Sequence, residues 1–156
     1  MDYVQRTIDL ADRNVQEGGK PFACVVADSG SGEVVAESPN LVVQTGDPTA
    51  HAEVVAIRKA CRARGSESLA GCEIFVLAHP CPMCLGALYY ADPDRVVFVV
   101  TREEEARFYK DDGRYFELET FYDEFGKPWP ERRLPMDHEP RPGGLAVYET
   151  YARKSG

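Results

Sequence analysis

The chain has no apolar run near the roughly 20 residues that a membrane-spanning helix requires. It has no internal repeat and no low-complexity segment. Its first residues, MDYVQRTIDLADR, mix acids with bases and contain no apolar stretch, so they do not read as an export leader. Five cysteines, an odd number, give no disulfide framework for a secreted protein. The expected location is therefore the cytoplasm, with no membrane partner.

Positive charge is also scarce. Lys and Arg number 18 against 26 Asp and Glu, a net charge of -8. The deficit is even: residues 1–78 hold 7 bases and 11 acids, residues 79–156 hold 11 and 15, so each half carries -4. Affinity for nucleic acid rests largely on neutralising phosphates, and no half of this chain is equipped for that. Arg58, Lys59, Arg62 and Arg64 form one local basic cluster, which reads as a solvated helix face.

What remains is the composition of an ordinary globular domain. At 156 residues the chain fits one domain and can bury about two-thirds of its unfolded surface. Val4, Ile8, Ala11 and Val15 recur at helical spacing within residues 2–17, and Gly18-Gly19 ends the pattern. FACVVAD (22–28) and EVVAES (33–38) read as strands joined by the turn SGSG. A polar loop, 39–49, leads to a helix over about 50–64 that Gly65 stops. CEIFVLA (72–78) and RVVFVV (95–100) read as strands buried on both faces. A helix over about 82–91 separates them, and another over 101–110 opens on Thr101 as its N-cap. Residues 111–156 change texture and read as a loop-rich tail, a candidate lid, closing with a helix over 143–154. Strands alternating with helices predict an α/β fold with a mixed sheet between helix layers.

Two short strings carry the chemistry. HAE places His51 two residues before Glu53, and PCPMC places Cys81 three before Cys84. Both strings fall where a helix begins, where the backbone dipole favours anions and helps keep a cysteine as thiolate. One histidine and two thiolates are the three ligands of a catalytic zinc, with a fourth position left for water. Glu53 would stand beside that water without joining the ligands, placed for general acid–base work. A lone CxxC also marks redox sites, and a structural zinc would need a fourth ligand such as Cys72 or His79. The other cysteines, Cys24, Cys61 and Cys72, sit among apolar residues and read as core.

His-x-Glu followed by Pro-Cys-x-x-Cys resembles the signature of the zinc-dependent cytidine/deoxycytidylate deaminase superfamily. GGKPFACVV, NLVVQTGDPTAHAEVVAIRKAC, PCPMCLGALYYADPDRVVF and GKPWPERRLPM are similar to its free-base branch, especially bacterial guanine deaminases. The resemblance implies a three-layer α-β-α cytidine deaminase-like fold. It implies one zinc per chain on His51, Cys81 and Cys84, with Glu53 as proton shuttle. Backbone at Ala52 would meet the substrate. Asn40 would bind the base edge, Phe22 would pack on the base plane, and Tyr90 would line the pocket or a subunit contact. Asp112 would assist proton movement at a purine. The implied reaction is guanine to xanthine and ammonia in a homodimer, with tails exchanged between subunits in some relatives. Rival readings are a cytosine or triazine-type base, a tRNA adenosine deaminase, and a catalytically dead zinc scaffold.

Two departures bear on the substrate. His79 stands before Pro80, where these enzymes usually carry Glu. The chain ends ARKSG, without the terminal tyrosine that closes the pocket in guanine deaminases; Tyr148 and Tyr151 are the nearest aromatics.

Overall fold

Alternating side chains define the centre of the fold. β1 (Ala23–Asp28) sends Cys24 and Val26 to one face and Val25 and Ala27 to the other, and all four are buried. A strand buried on both faces must be interior. In the computed structural model, β1 lies between β2 (Val34–Pro39) and β3 (Cys72–Ala78), antiparallel to both. β4 (Arg95–Val100) pairs parallel to β3, giving the order β2-β1-β3-β4. The register sets Val25 opposite Phe75 and Ile74 opposite Val96.

The structure describes residues 1–116 and 121–156, in two compact units, Met1–Asp112 and Gly113–Gly156. In the first unit, helix α1 (Tyr3–Gln16) covers the face of Val25, Ala27 and Phe75, with the Tyr3 ring 4.9 Å from that of Phe75. A four-residue helix, α2 (Val42–Thr45), interrupts the segment expected to be a polar loop. Helices α3 (Ala52–Arg64) and α4 (Pro82–Ala91) cover the other face. There Ala52, Ala56, Ala60, Leu88 and Ala91 pack on Cys24, Val26, Ile74 and Val76. The result is the expected three-layer α/β arrangement around a mixed sheet. The small residues along α3 let it lie close against the sheet.

Three local readings differ from the sequence expectation. RVVFVV forms an edge strand with no buried residue, and Phe98 is 44% exposed. Its apolar run does not distinguish an edge from an interior strand. The helix expected over 101–110 is only α5 (Arg102–Glu105), although Thr101 does cap it in a capping box with Glu104. On α1, the buried line is Thr7, Ala11 and Asn14, while Val15 is 48% exposed. Two polar residues are therefore buried on this helix, and each has a hydrogen-bond partner. Thr7 Oγ1 donates to Tyr3 O at 2.7 Å, and Asn14 bonds carbonyls described below.

Cys24 and Cys72 are buried and Cys61 half-buried against the core, as expected of apolar fillers; all five cysteines are free. Helix α4 ends at Asp92, which adopts a left-handed φ of 57°. The second unit holds α6 (Phe121–Gly126), a 3-10 turn (Trp129–Glu131) and α7 (Pro142–Ser155). Within it, the Glu124 carboxylate accepts from Arg133 N at 2.9 Å and Lys127 Nζ at 3.3 Å. Residues 117–120, inside the expected tail, lie outside the described residues. Among the described residues, no helix is long and apolar enough to cross a membrane.

Candidate active site

Two helix starts build the site. His51 is the N-cap of α3 and Cys81 the N-cap of α4, both with extended backbone. Pro82 occupies the first turn of α4, where its missing N–H costs nothing. Cys84 N–H donates to Cys81 Sγ at 3.4 Å, so the CxxC spacing folds both sulfurs onto one side of the turn. Each sulfur lies 3.5 Å from His51 Nδ1. The three donor atoms all fall within 4.8 Å of one another.

That spacing fits zinc. A tetrahedral ion with ordinary Zn–S and Zn–N bonds separates a nitrogen from a sulfur ligand by about 3.6 Å. The soft-to-borderline N, S, S donor set suits the same metal. Among the described residues no other His, Cys, Asp or Glu joins the cluster. Cys72 instead accepts from Arg64 Nη1 at 3.1 Å, and the His79 ring sits 3.1 Å from Pro80 O and edge-on to Phe98 at 5.2 Å. A four-ligand structural site therefore has no fourth donor there. A redox CxxC has no need of the histidine between its sulfurs.

The three donor groups and Glu53 perturb one another. Hydrogen bonding with Cys84, then with His51, holds Cys81 well below the ordinary thiol value. The same sulfur–sulfur contact and burial push Cys84 up. Contact with Cys81 raises His51, against the opposing effect of burial. Glu53 is buried in the first turn of α3; burial pushes its carboxyl up, while hydrogen bonding with Cys84 opposes the shift. A buried carboxyl beside the donor cluster, with its proton affinity raised, is what a proton carrier needs.

The remaining candidates are placed unevenly. Ala52 is fully buried at the first position of α3. Asn40, just past β2, is buried; its N–H donates to Phe22 O at 2.8 Å and its Oδ1 accepts from Val42 N at 3.0 Å. The side-chain oxygen thus caps α2, and among the described residues Nδ2 has no protein partner and is not buried away from solvent. Phe22 is half-buried beside the α3 face of the sheet. Tyr90 is not brought to the site: it is 91% exposed at the far end of α4 from Cys81. Asp111 and Asp112 are both exposed at the end of the first unit, and the charge of Asp111 adds to the upward shift of His51.

Asp111 belongs to a group the motifs did not reveal. Its carboxylate accepts from Tyr109 Oη at 2.7 Å and lies 3.9 Å from Lys20 Nζ. The Tyr109 ring meets Phe22 edge-on at 4.9 Å. Burial first, then the Asp111 hydrogen bond, raises the Tyr109 phenol. Glu105 is raised by burial and then by Asp111, with Cys81 and Glu53 adding to the shift. The signal was present only as the run FYKDD after α5; its pairing with Lys20 and Phe22 is tertiary.

A sequence profile of the cytidine and deoxycytidylate deaminase zinc-binding region matches residues 1–100. Guanine deaminase of Bacillus subtilis (strain 168) is 40% identical over 135 residues, covering 86% of this chain and 81% of that protein. The X-ray structure of guanine deaminase from Bacillus subtilis superposes with a TM-score of 0.85 at 36% identity, covering 97% of this chain and 92% of that one. A tRNA-specific adenosine deaminase of Aquifex aeolicus (strain VF5) is 38% identical over 96 residues, 62% of each chain.

Proposed function

The chain belongs to the cytidine and deoxycytidylate deaminase zinc-binding family, and we propose that it hydrolyses the amino group of guanine, giving xanthine and ammonia. It is a hydrolase of the nucleobase deaminase type. The observation that carries the reading is a buried Glu53 beside three donor atoms already spaced for zinc. The guanine deaminase likeness extends over 86% of the chain, whereas the tRNA deaminase likeness stops at 62%. A net charge of -8 opposes an RNA substrate further.

His51, Cys81 and Cys84 would hold one zinc, which when bound supplies the Lewis acidity that lowers a water's pKa toward about 7. Glu53 accepts the proton of the attacking water and delivers it to the ring nitrogen beside the amino-bearing carbon. It then takes the remaining proton of the added hydroxyl and passes it to the amino nitrogen, so the C–N bond breaks, ammonia leaves and the hydroxyl carbon becomes the carbonyl. The Ala52 amide, at the start of α3, is a candidate donor to developing negative charge. Asn40 presents Nδ2 as a donor, so the base edge it meets must offer an acceptor. Phe22 packs against the base plane. Asp112 assists proton movement at the purine, and its neighbour Asp111 shares that role.

A cytosine or triazine-type base is the second reading, because His79 replaces the usual Glu beside the cysteine string. We also propose a homodimer that exchanges tails. Tyr89 and Tyr90 stand exposed on α4, and α7 has no buried residue while carrying Leu145, Val147, Tyr148 and Tyr151. Free cysteines throughout support a reducing compartment, hence the cytoplasm.

The decisive experiment is ammonia release by zinc-loaded protein from guanine, cytosine, ammeline, adenine, cytidine and a tRNA anticodon stem. Guanine should be the best substrate by kcat/KM. Turnover of cytosine without guanine would transfer the assignment to the second reading, and no turnover of any substrate would remove the deaminase reading.

A further inference from the structure

Asn14 lies on the sheet-facing side of α1 and is 2% exposed. A buried carboxamide is costly unless its donors and acceptor are matched. Here Nδ2 donates to two carbonyl oxygens, Lys20 O at 2.8 Å and Asn40 O at 2.9 Å. Oδ1 accepts from Gln44 Nε2 at 2.7 Å. Each bond reaches a segment that carries a candidate pocket residue or holds one.

Lys20 O also accepts from Phe22 N at 2.9 Å, and Phe22 O accepts from Asn40 N at 2.8 Å. Gln44 belongs to α2, whose Val42 N–H holds Asn40 Oδ1 at 3.0 Å. Asn40 is thus fixed at its carbonyl by Asn14, at its amide by Phe22, and at its side-chain oxygen by α2. Among the described residues only Nδ2 is left without a protein partner, and it is not sealed from solvent. Gly19 completes the arrangement: a Cβ there would lie 2.5 Å from both Asn14 Nδ2 and Oδ1. The backbone at 18–20 can close over Asn14 because that residue has no side chain.

We propose that Asn14 is a positioning residue for base recognition, which sets the tilt of the Asn40 carboxamide and its spacing from Phe22. The proposal rests on the reading of Asn40 as the base-binding residue. Asn14 touches neither substrate nor metal ligands, so its loss weakens the grip on the base and spares Glu53 and the zinc donors. Those groups sit at the starts of α3 and α4 and make none of the Asn14 bonds.

The test is steady-state deamination of guanine by wild type, Asn14→Ala, Gly19→Ala, Asn40→Ala and the Asn14→Ala/Asn40→Ala pair. Zinc content and amide hydrogen exchange at Asn40 and Val42 are measured on each. Asn14→Ala should raise KM about tenfold or more and leave kcat within about threefold. Zinc should stay near one per chain, and exchange at Asn40 should quicken about tenfold. Gly19→Ala, which keeps Asn14 in the sequence but displaces its side chain, should do the same; it also serves if Asn14→Ala does not fold. In the Asn40→Ala background, Asn14→Ala should change KM by less than about twofold, because the two act as one unit. Multiplying effects in the pair, a fall in kcat at constant KM, or unchanged exchange at Asn40 would overturn the inference alone. A wild type that deaminates no base would overturn it together with the reading on which it rests.

Discussion

Glu53 sits in the first turn of α3, where the helix dipole favours a negative charge and burial disfavours one. Burial wins, since the carboxyl is shifted up from its ordinary 4.5. In chelator-treated protein, the folded state binds this proton more tightly than the unfolded chain, so stability falls as pH rises from about 4.5 through the folded value. Glu53→Gln has no proton to lose there. Its thermal midpoint should exceed that of wild type increasingly over this window, read by melting curves at a series of pH values. A gap that is constant across pH would contradict the burial argument. With zinc restored, the same variant should lose about 10²- to 10⁴-fold in kcat and keep its metal. Metal analysis beside ammonia release checks both halves.

At the scale of elements, the helix starts were legible and the strand order was not. His51, Glu53, Cys81 and Cys84 depend on a few consecutive residues, since an N-cap and its first turn fix where those side chains point. RVVFVV and CEIFVLA look alike as sequence, yet β3 is interior and β4 is an edge, because position in a sheet is set by partners far along the chain. Asn14 was hidden for a similar reason: a polar residue in an amphipathic helix reads as solvent-facing until the carbonyls of Lys20 and Asn40 arrive from elsewhere. Tyr109 and Asp111 likewise gain meaning only beside Phe22 and Lys20. The interior strand makes a direct prediction. Ile74, on β3, is fully buried on the face that α3 and α4 cover, and Ile74→Ala should cost about 2–5 kcal/mol. Urea unfolding measures this, and a cost under about 1 kcal/mol would place the residue outside the core.

For the whole molecule, charge and apolar surface point to different partners. A net charge of -8, with both halves equally acidic, opposes polyanions. Exposed Tyr89, Tyr90, Phe98 and the apolar residues of α7 favour a second copy of the chain. Light scattering should therefore report a dimer that persists at high salt, since its contacts are apolar rather than ionic. A tRNA anticodon stem should show no saturable binding at physiological salt in a filter-binding or fluorescence titration. A salt-sensitive complex with that RNA, or a monomer at all concentrations, would reverse these expectations.

Helix α4 is unequal at its two ends. It opens on Cys81 and closes on Asp92, an acid at the negative pole of the helix and the described chain's one non-glycine residue with positive φ. Asn tolerates that backbone and carries no charge, so Asp92→Asn should add about 0.3–1 kcal/mol of stability. Calorimetry would show a higher melting temperature with unaltered guanine kinetics. The far end of the same helix thus offers evolution, or an engineer, spare folding capacity: a background in which costly changes around the pocket can be sampled before the chain ceases to fold.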